Sequence, residues 1–151
     1  AISPKYFNNK KKTTALLSLS SILNLLLPDS QPYKNLYISL ESLLSKLDHE
    51  NWISFYITWE LMLLKELGFD PFLEQFPFEE TRSVSQKTIE IDNIKYQVPT
   101  FLFFKNEIIS LEKKEIFMAL SFTRNILINK FFLPNNLPFP KSRIILENYF
   151  S

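Results

Sequence analysis

Gly68 is the only glycine in 151 residues, and it closes the most strongly patterned stretch of the chain. Ahead of it, Trp52, Tyr56, Trp59, Leu63 and Leu67 recur at helical spacing, and Phe55 and Leu64 widen the stripe. Gly68 stands one residue past the last periodic position, where a helix end turns through the left-handed region that glycine tolerates. Pro71 then blocks continuation. The remaining elements are placed around this helix. The scarcity of glycine also restricts chemistry. Loops that cradle phosphates need several glycines for close backbone approach, so Walker-type and Rossmann-type nucleotide sites are excluded.

The flanking segments read as further helices. Thr13 or Thr14 suits the cap of a helix running to about Leu27, with Leu16, Leu19, Leu23 and Leu26 on one face. Residues 1–12 read as an irregular or extended lead-in. Pro28, Asp29 and Pro32 mark a break. A second helix is expected from about Tyr33 to Leu47, and Asp48-His49-Glu50 forms a polar connection. Beyond Pro71 the period changes. Thr88–Ile91 and Ile94–Val98 flank Asp92-Asn93, the pattern of a hairpin at 88–98 with a two-residue turn. Two strands are too few to stand alone, so the hairpin must lean on helices. A long amphipathic helix follows from about Leu111 to Phe132, with Ile116, Leu120, Thr123, Leu127 and Phe131 on one face. Pro134 and Pro138 stiffen a linker, and Pro140 opens a last helix to about Tyr149. The fold class is mainly α: a single helical domain over 13–151 with a small β-hairpin insertion.

Composition excludes several functions. With no cysteine there is no disulfide, thiolate metal site or thiol nucleophile. A zinc site would have to draw its ligands from one histidine and carboxylates alone, so no metal and no cofactor is expected. His49 lies in a polar turn, where a surface histidine outweighs a general base. No serine nucleophile motif accompanies it. Glu60 follows Trp59 on the aromatic stripe, and a structural role, accepting hydrogen bonds from a cap or an arginine, outweighs acid–base catalysis. The chain is therefore expected not to be an enzyme. Ala15–Leu27, the longest uncharged apolar stretch, is too short to cross a bilayer, so a cytoplasmic location away from membranes is expected.

Charge is segregated. Residues 1–14 carry +4, residues 28–100 carry −6 and residues 101–151 carry +3. Basic ends flanking an acidic middle suit a polyanionic partner. Two sets of cations are candidates for binding phosphates or acidic side chains: Lys10, Lys11 and Lys12, and then Arg124, Lys130, Lys141 and Arg143. Members of the second set converge only if the linker from Pro134 to Pro140 folds the last helix back. A basic residue beside an apolar groove also suits an acidic peptide that ends in a hydrophobic residue.

Several short motifs occur together in one order. Leu36-Tyr37, Leu40 and Leu43-Leu44 precede Phe55-Tyr56-Ile57-Thr58-Trp59-Glu60-Leu61-Met62-Leu63-Leu64-Lys65-Glu66-Leu67-Gly68-Phe69. Phe122-Thr123-Arg124 and Lys141-Ser142-Arg143 follow. From about Ala15 to Phe150 this arrangement resembles the helical C-terminal part of RecO, a bacterial recombination mediator. The resemblance implies a DNA-repair protein of the RecF pathway, which helps load RecA onto SSB-coated single-stranded DNA and anneals strands by binding alone. It implies the SSB C-terminal tail, single-stranded DNA and RecR as partners, and association with the nucleoid. Family members begin with an oligonucleotide-binding barrel, for which 151 residues leave no room. Residues 1–12 are at most its last edge. Many relatives hold zinc through four cysteines after the Leu-Gly-Phe motif. None is present here, and Phe76 stands near the first. Some relatives place basic residues where this chain has Ile57 and Thr58, which moves the expected tail contacts to Arg124 and Arg143. Replacing either by alanine is expected to weaken peptide binding with little loss of stability. The rival reading is a non-catalytic helical module that scaffolds a larger protein.

Overall fold

The computed structural model describes residues 4–27, 33–69, 86–103 and 111–151. Within them the chain forms α1 (Pro4–Leu26), α2 (Lys34–Ser45), α3 (Trp52–Glu66), β1 (Gln86–Ile91), β2 (Ile94–Pro99), α4 (Lys113–Leu127) and α5 (Lys141–Asn148). The mainly α domain with its hairpin insertion is therefore present as expected. The expected break at Pro28, Asp29 and Pro32 lies outside the described residues, as does Phe76.

Helix α3 carries the core. Trp59, Tyr56, Ile57, Leu63 and Leu64 are essentially fully buried. Its end is a Schellman motif: Phe69 N–H donates to Leu64 C=O at 2.9 Å and Gly68 N–H donates to Lys65 C=O at 3.0 Å. Gly68 has φ +89°, which an L side chain adopts only with strain. Helix α2 packs along α3 through Leu36 and Leu43.

The hairpin has the expected register, with Ile91 opposite Ile94 and Ile89 opposite Tyr96. Asp92 and Asn93 have φ of 51° and 67°. Two consecutive positive values define the type I′ turn, whose twist matches that of the strands. Ile89, Tyr96 and Val98 form the buried face. The hairpin leans on α4: the Tyr96 ring meets Phe122 edge-on at 6.2 Å, and Asn129 Nδ2 donates to the Tyr96 hydroxyl at 3.2 Å.

Helix α4 begins where the Glu115 carboxylate reaches back to accept the Glu112 N–H at 3.0 Å, the return half of a capping box. Ile116, Leu120, Thr123 and Leu127 are buried as their spacing predicts. The last turn, Ile128–Phe132, widens into a π-helix. Beyond it the linker turns back, with Leu137 N–H donating to Phe132 C=O and the Phe139 ring set against Phe132. This return lays α5 across α4 and against α1.

The first helix differs from expectation. It starts at Pro4, not at Thr13 or Thr14, so most of the lead-in expected over 1–12 is helical. Proline fits a first helical turn, and lysine is a good helix former. The two threonines lie inside the helix, where their hydroxyls donate back to Asn9 C=O and Lys10 C=O, both at 2.9 Å. This is the interior use of threonine rather than a cap.

Candidate functional site: a buried carboxylate hub beneath a basic surface layer

Three of the four crossing helices meet at Glu60, and α1 joins through the Tyr56 hydroxyl. Both carboxylate oxygens are taken. Arg143 of α5 donates from Nε to Oε2 at 2.6 Å and from Nη2 to Oε1 at 2.9 Å, a two-pronged pairing. The Tyr56 hydroxyl donates to Oε2 at 2.8 Å, and the Thr123 hydroxyl of α4 donates to Oε1 at 2.7 Å. Arg143 Nη2 also reaches the Leu120 carbonyl at 2.8 Å. On its far side Tyr56 bonds the Ser18 hydroxyl of α1 at 2.8 Å. Glu60, Arg143, Thr123 and Ser18 are all 0% exposed.

The Glu60 carboxylate and the Arg143 Nε and Nη2 satisfy one another, as buried charges must, while Arg143 Nη1 and Glu147 Oε1 face each other at 3.5 Å without a hydrogen bond. Burial alone would lower the affinity of the Arg143 guanidinium for its proton, but the Glu60 charge and hydrogen bonds reverse this, with a further contribution from Glu147. The net effect raises its pKa, so it stays charged. Burial, and then the neighbouring Glu60 charge, push the Tyr56 hydroxyl well above its ordinary value. The hub therefore holds an ion pair and a neutral phenol. With no exposed surface on its members, it cannot meet a substrate. The structural role expected of Glu60, as acceptor from an arginine, is the one observed.

Arg143 is accordingly not a surface contact for a ligand. The sequence expectation placed it on an accessible face, but residue 143 is the first inward position of α5. A cation in the first turn of a helix opposes the helix dipole. Its position is explained by Glu60, with Glu147 one turn further along at 3.5 Å from Nη1.

The return of α5 does bring cations together, but on the chain's own carboxylates. Arg124 Nη1 lies 3.3 Å from Glu147, which also accepts from the Ser121 hydroxyl at 3.3 Å. Lys130 pairs with Asp92 at the hairpin turn and lies over the Phe69 ring. Lys141 is exposed at the start of α5, and Lys10 is exposed on α1. Lys11 and Lys12 are half-buried, with the Lys11 ammonium 5.0 Å from the centre of the Phe150 ring. This contact sets the lysines of α1 beside the C-terminal end of α5. The lysines of α1 thus mark one end of the α1–α5 layer and Lys141 the other, about 13 Å away by helix rise. The carboxylate of this layer, Glu147, is buried. Its outer surface therefore presents positive charge, together with exposed Leu17, Ile144 and Ile145.

His49 is exposed in its turn, and its Nδ1 accepts the Asn51 N–H at 3.1 Å, which fits the surface reading. Among the described residues no group of His, Asp and Glu is placed to hold a metal ion. No helix among them is long and apolar enough to cross a membrane. Sequence reasoning missed Ser18, Tyr56, Thr123 and Glu147 as parts of the hub. The available signal was polar residues standing on otherwise apolar helix faces.

Comparison with known proteins bears on the first half of the chain. Residues 9–81, which include Glu60 and its flanking motif, match the family model described as Recombination protein O C terminal. Over these residues, just under half of the chain, the sequence is similar to the RecO C-terminal family. A DNA repair protein RecO from Wolbachia pipientis wMel is 39% identical over 66 residues, covering 42% of this chain and 28% of the relative. Proteins of the same name are similar too. The one from Anaplasma marginale strain Florida is 32% identical over 65 residues, 42% of this chain and 27% of its own. That from Cereibacter sphaeroides is 35% identical over 54 residues, 36% of this chain and 23% of its own. The chain thus spans under a third of the length of the RecO relatives it matches. No solved structure matches at a significant level. The RecO segment covers α1 from residue 9 through α3, so Glu60 lies inside it while Thr123 and Arg143 lie outside.

Proposed function

We propose that this chain is the helical binding module of a RecO-type recombination mediator in DNA repair, acting by association and without catalysis. The match of residues 9–81 to the RecO C-terminal family carries this reading. In it, the module takes part in loading RecA on SSB-coated single-stranded DNA and in annealing strands. Its partners are the SSB tail, single-stranded DNA and RecR, and it works in the cytoplasm at the nucleoid. The cations available for contact are Lys10, Lys11, Lys12 and Lys141, with Arg124 and Lys130 contributing once their own carboxylates are displaced. Arg143 acts from the interior, by fixing α5. An acidic tail would place its carboxylates on lysines and its terminal aromatic side chain against apolar surface, a combination that needs no reactive group.

The test is a titration with a fluorescent peptide carrying an acidic run and a C-terminal Phe, beside one lacking the Phe and a single-stranded oligonucleotide, at low and high salt. Salt-sensitive binding that requires the Phe is expected. Absence of any binding at low salt would favour the second reading, a non-catalytic module that scaffolds a larger protein. That reading is supported by the engagement of Arg124, Lys130 and Arg143 with carboxylates of the chain itself.

A further inference from the structure

We propose that α5 is a clasp: α1 and α5 form one cooperative unit that lifts from α3 and α4 before the rest of the domain opens, and the Glu60–Arg143 pair sets how readily it does so. Three observations lead there. Helix α1 packs chiefly on α5, so most of its attachment to the body runs through that helix, beside the one Ser18–Tyr56 bond to α3. The two faces of α5 also differ in chemistry. Toward α1 the packing is close and Phe150 lies beneath Lys11, while the side chains that α1 buries around Ser18 are the apolar Ala15, Leu19 and Ile22. Toward α3 and α4 the contact is a polar seam: Arg143 on Glu60, Thr123 and the Leu120 carbonyl, and Glu147 on Arg124 and Ser121.

Polar and apolar seams respond differently to water. Charges at an opened seam recover their hydration, which offsets much of the attraction lost, whereas apolar surface regains nothing. The seam between α5 and the body is therefore where water enters at least cost. The direct bond from α1 to α3, Ser18 to Tyr56, joins two hydroxyls that water replaces readily. The joint between α1 and α5 stays intact while the polar seam opens. Such a device lets the basic helix α1 move with the C-terminal helix as one body.

Native-state hydrogen exchange on the full chain in low urea tests this. The amides of Ala15–Ile22 in α1 and those of α5 are expected to converge on one shared opening, with lower protection than Tyr56–Leu64 of α3. In Arg143→Met, the α1 and α5 amides are expected to exchange faster by the same factor, roughly a hundred-fold to a few thousand-fold. Convergence of α1 with α3 in a single global opening overturns the proposal. So do α1 amides whose rates do not change in Arg143→Met while those of α5 do. Should that variant fail to fold, the wild-type exchange pattern alone decides between a shared α1–α5 opening and a global one.

Discussion

Replacing Arg143 by alanine tests the buried hub most sharply, because the structure predicts a loss far from the one a surface cation would give. The side chain is 0% exposed, and its removal leaves the Glu60 carboxylate in the interior with only the Tyr56 and Thr123 hydroxyls as donors. Breaking a buried pair by deleting one partner costs about 3–5 kcal/mol. A domain of this size has a total stability of about 5–15 kcal/mol, so the variant should sit near the edge of folding. Thermal midpoints of chains this long fall by about 2–4 °C per kcal/mol, which gives a drop of roughly 6–20 °C. Arg124→Ala is the internal comparison. Its side chain is one-third exposed and its partner Glu147 keeps the Ser121 bond, so a loss of about 1 kcal/mol or less is expected. Urea unfolding followed by circular dichroism measures both. A loss below about 1 kcal/mol for Arg143→Ala would mean that the guanidinium is hydrated, and the hub as described would be wrong.

Three further outcomes follow from particular residues. Joint replacement of Glu60 and Arg143 by Leu and Met should cost clearly less than the sum of the single changes, since the double variant leaves no unpaired charge; strict additivity in a double-mutant cycle would deny the pairing. Gly68→Ala should destabilise by about 1–2 kcal/mol although its Cβ would meet nothing within 4 Å, because the penalty comes from φ +89° alone; an unchanged urea midpoint would contradict the left-handed cap. The raised pKa of Tyr56 stabilises the fold below pH 10, where the phenol is neutral in both states; above pH 10 the unfolded chain releases this proton first, so stability falls as pH rises. Tyr56→Phe should flatten that fall by up to about 1.4 kcal/mol per pH unit, and identical alkaline slopes in the two proteins would place the phenol in water.

Local patterns were legible in the sequence and distant pairings were not. The α3 stripe, its glycine stop and the Asp92-Asn93 turn depend on neighbours a few residues away, and each stands as read. The start of α1 was misplaced because Thr13 and Thr14 are good caps in isolation. Only the helix preceding them turns their hydroxyls to backbone carbonyls. Glu60 was recognised as a structural acceptor because a carboxylate on an aromatic stripe must find donors. Its main partner stands 83 residues away, and nothing local in Lys141-Ser142-Arg143 distinguishes the inward arginine from the outward lysine. Helical phase does so once the start of α5 is known. For the same reason the basic candidates separated only in three dimensions: Arg143 inside, Arg124 and Lys130 held by carboxylates, and Lys10 and Lys141 on the surface.

Charge reversal on the α1–α5 layer tests the binding reading most directly. Lys10→Glu, Lys12→Glu and Lys141→Glu, combined in one chain, leave the hub untouched and should leave the thermal midpoint within a few degrees of the parent. The affinity of this variant for the acidic, Phe-ended peptide at low salt is expected to fall at least about ten-fold, with a shallower salt dependence. Unchanged affinity and salt dependence in a folded variant would contradict the binding reading and remove the α1–α5 layer as the binding surface.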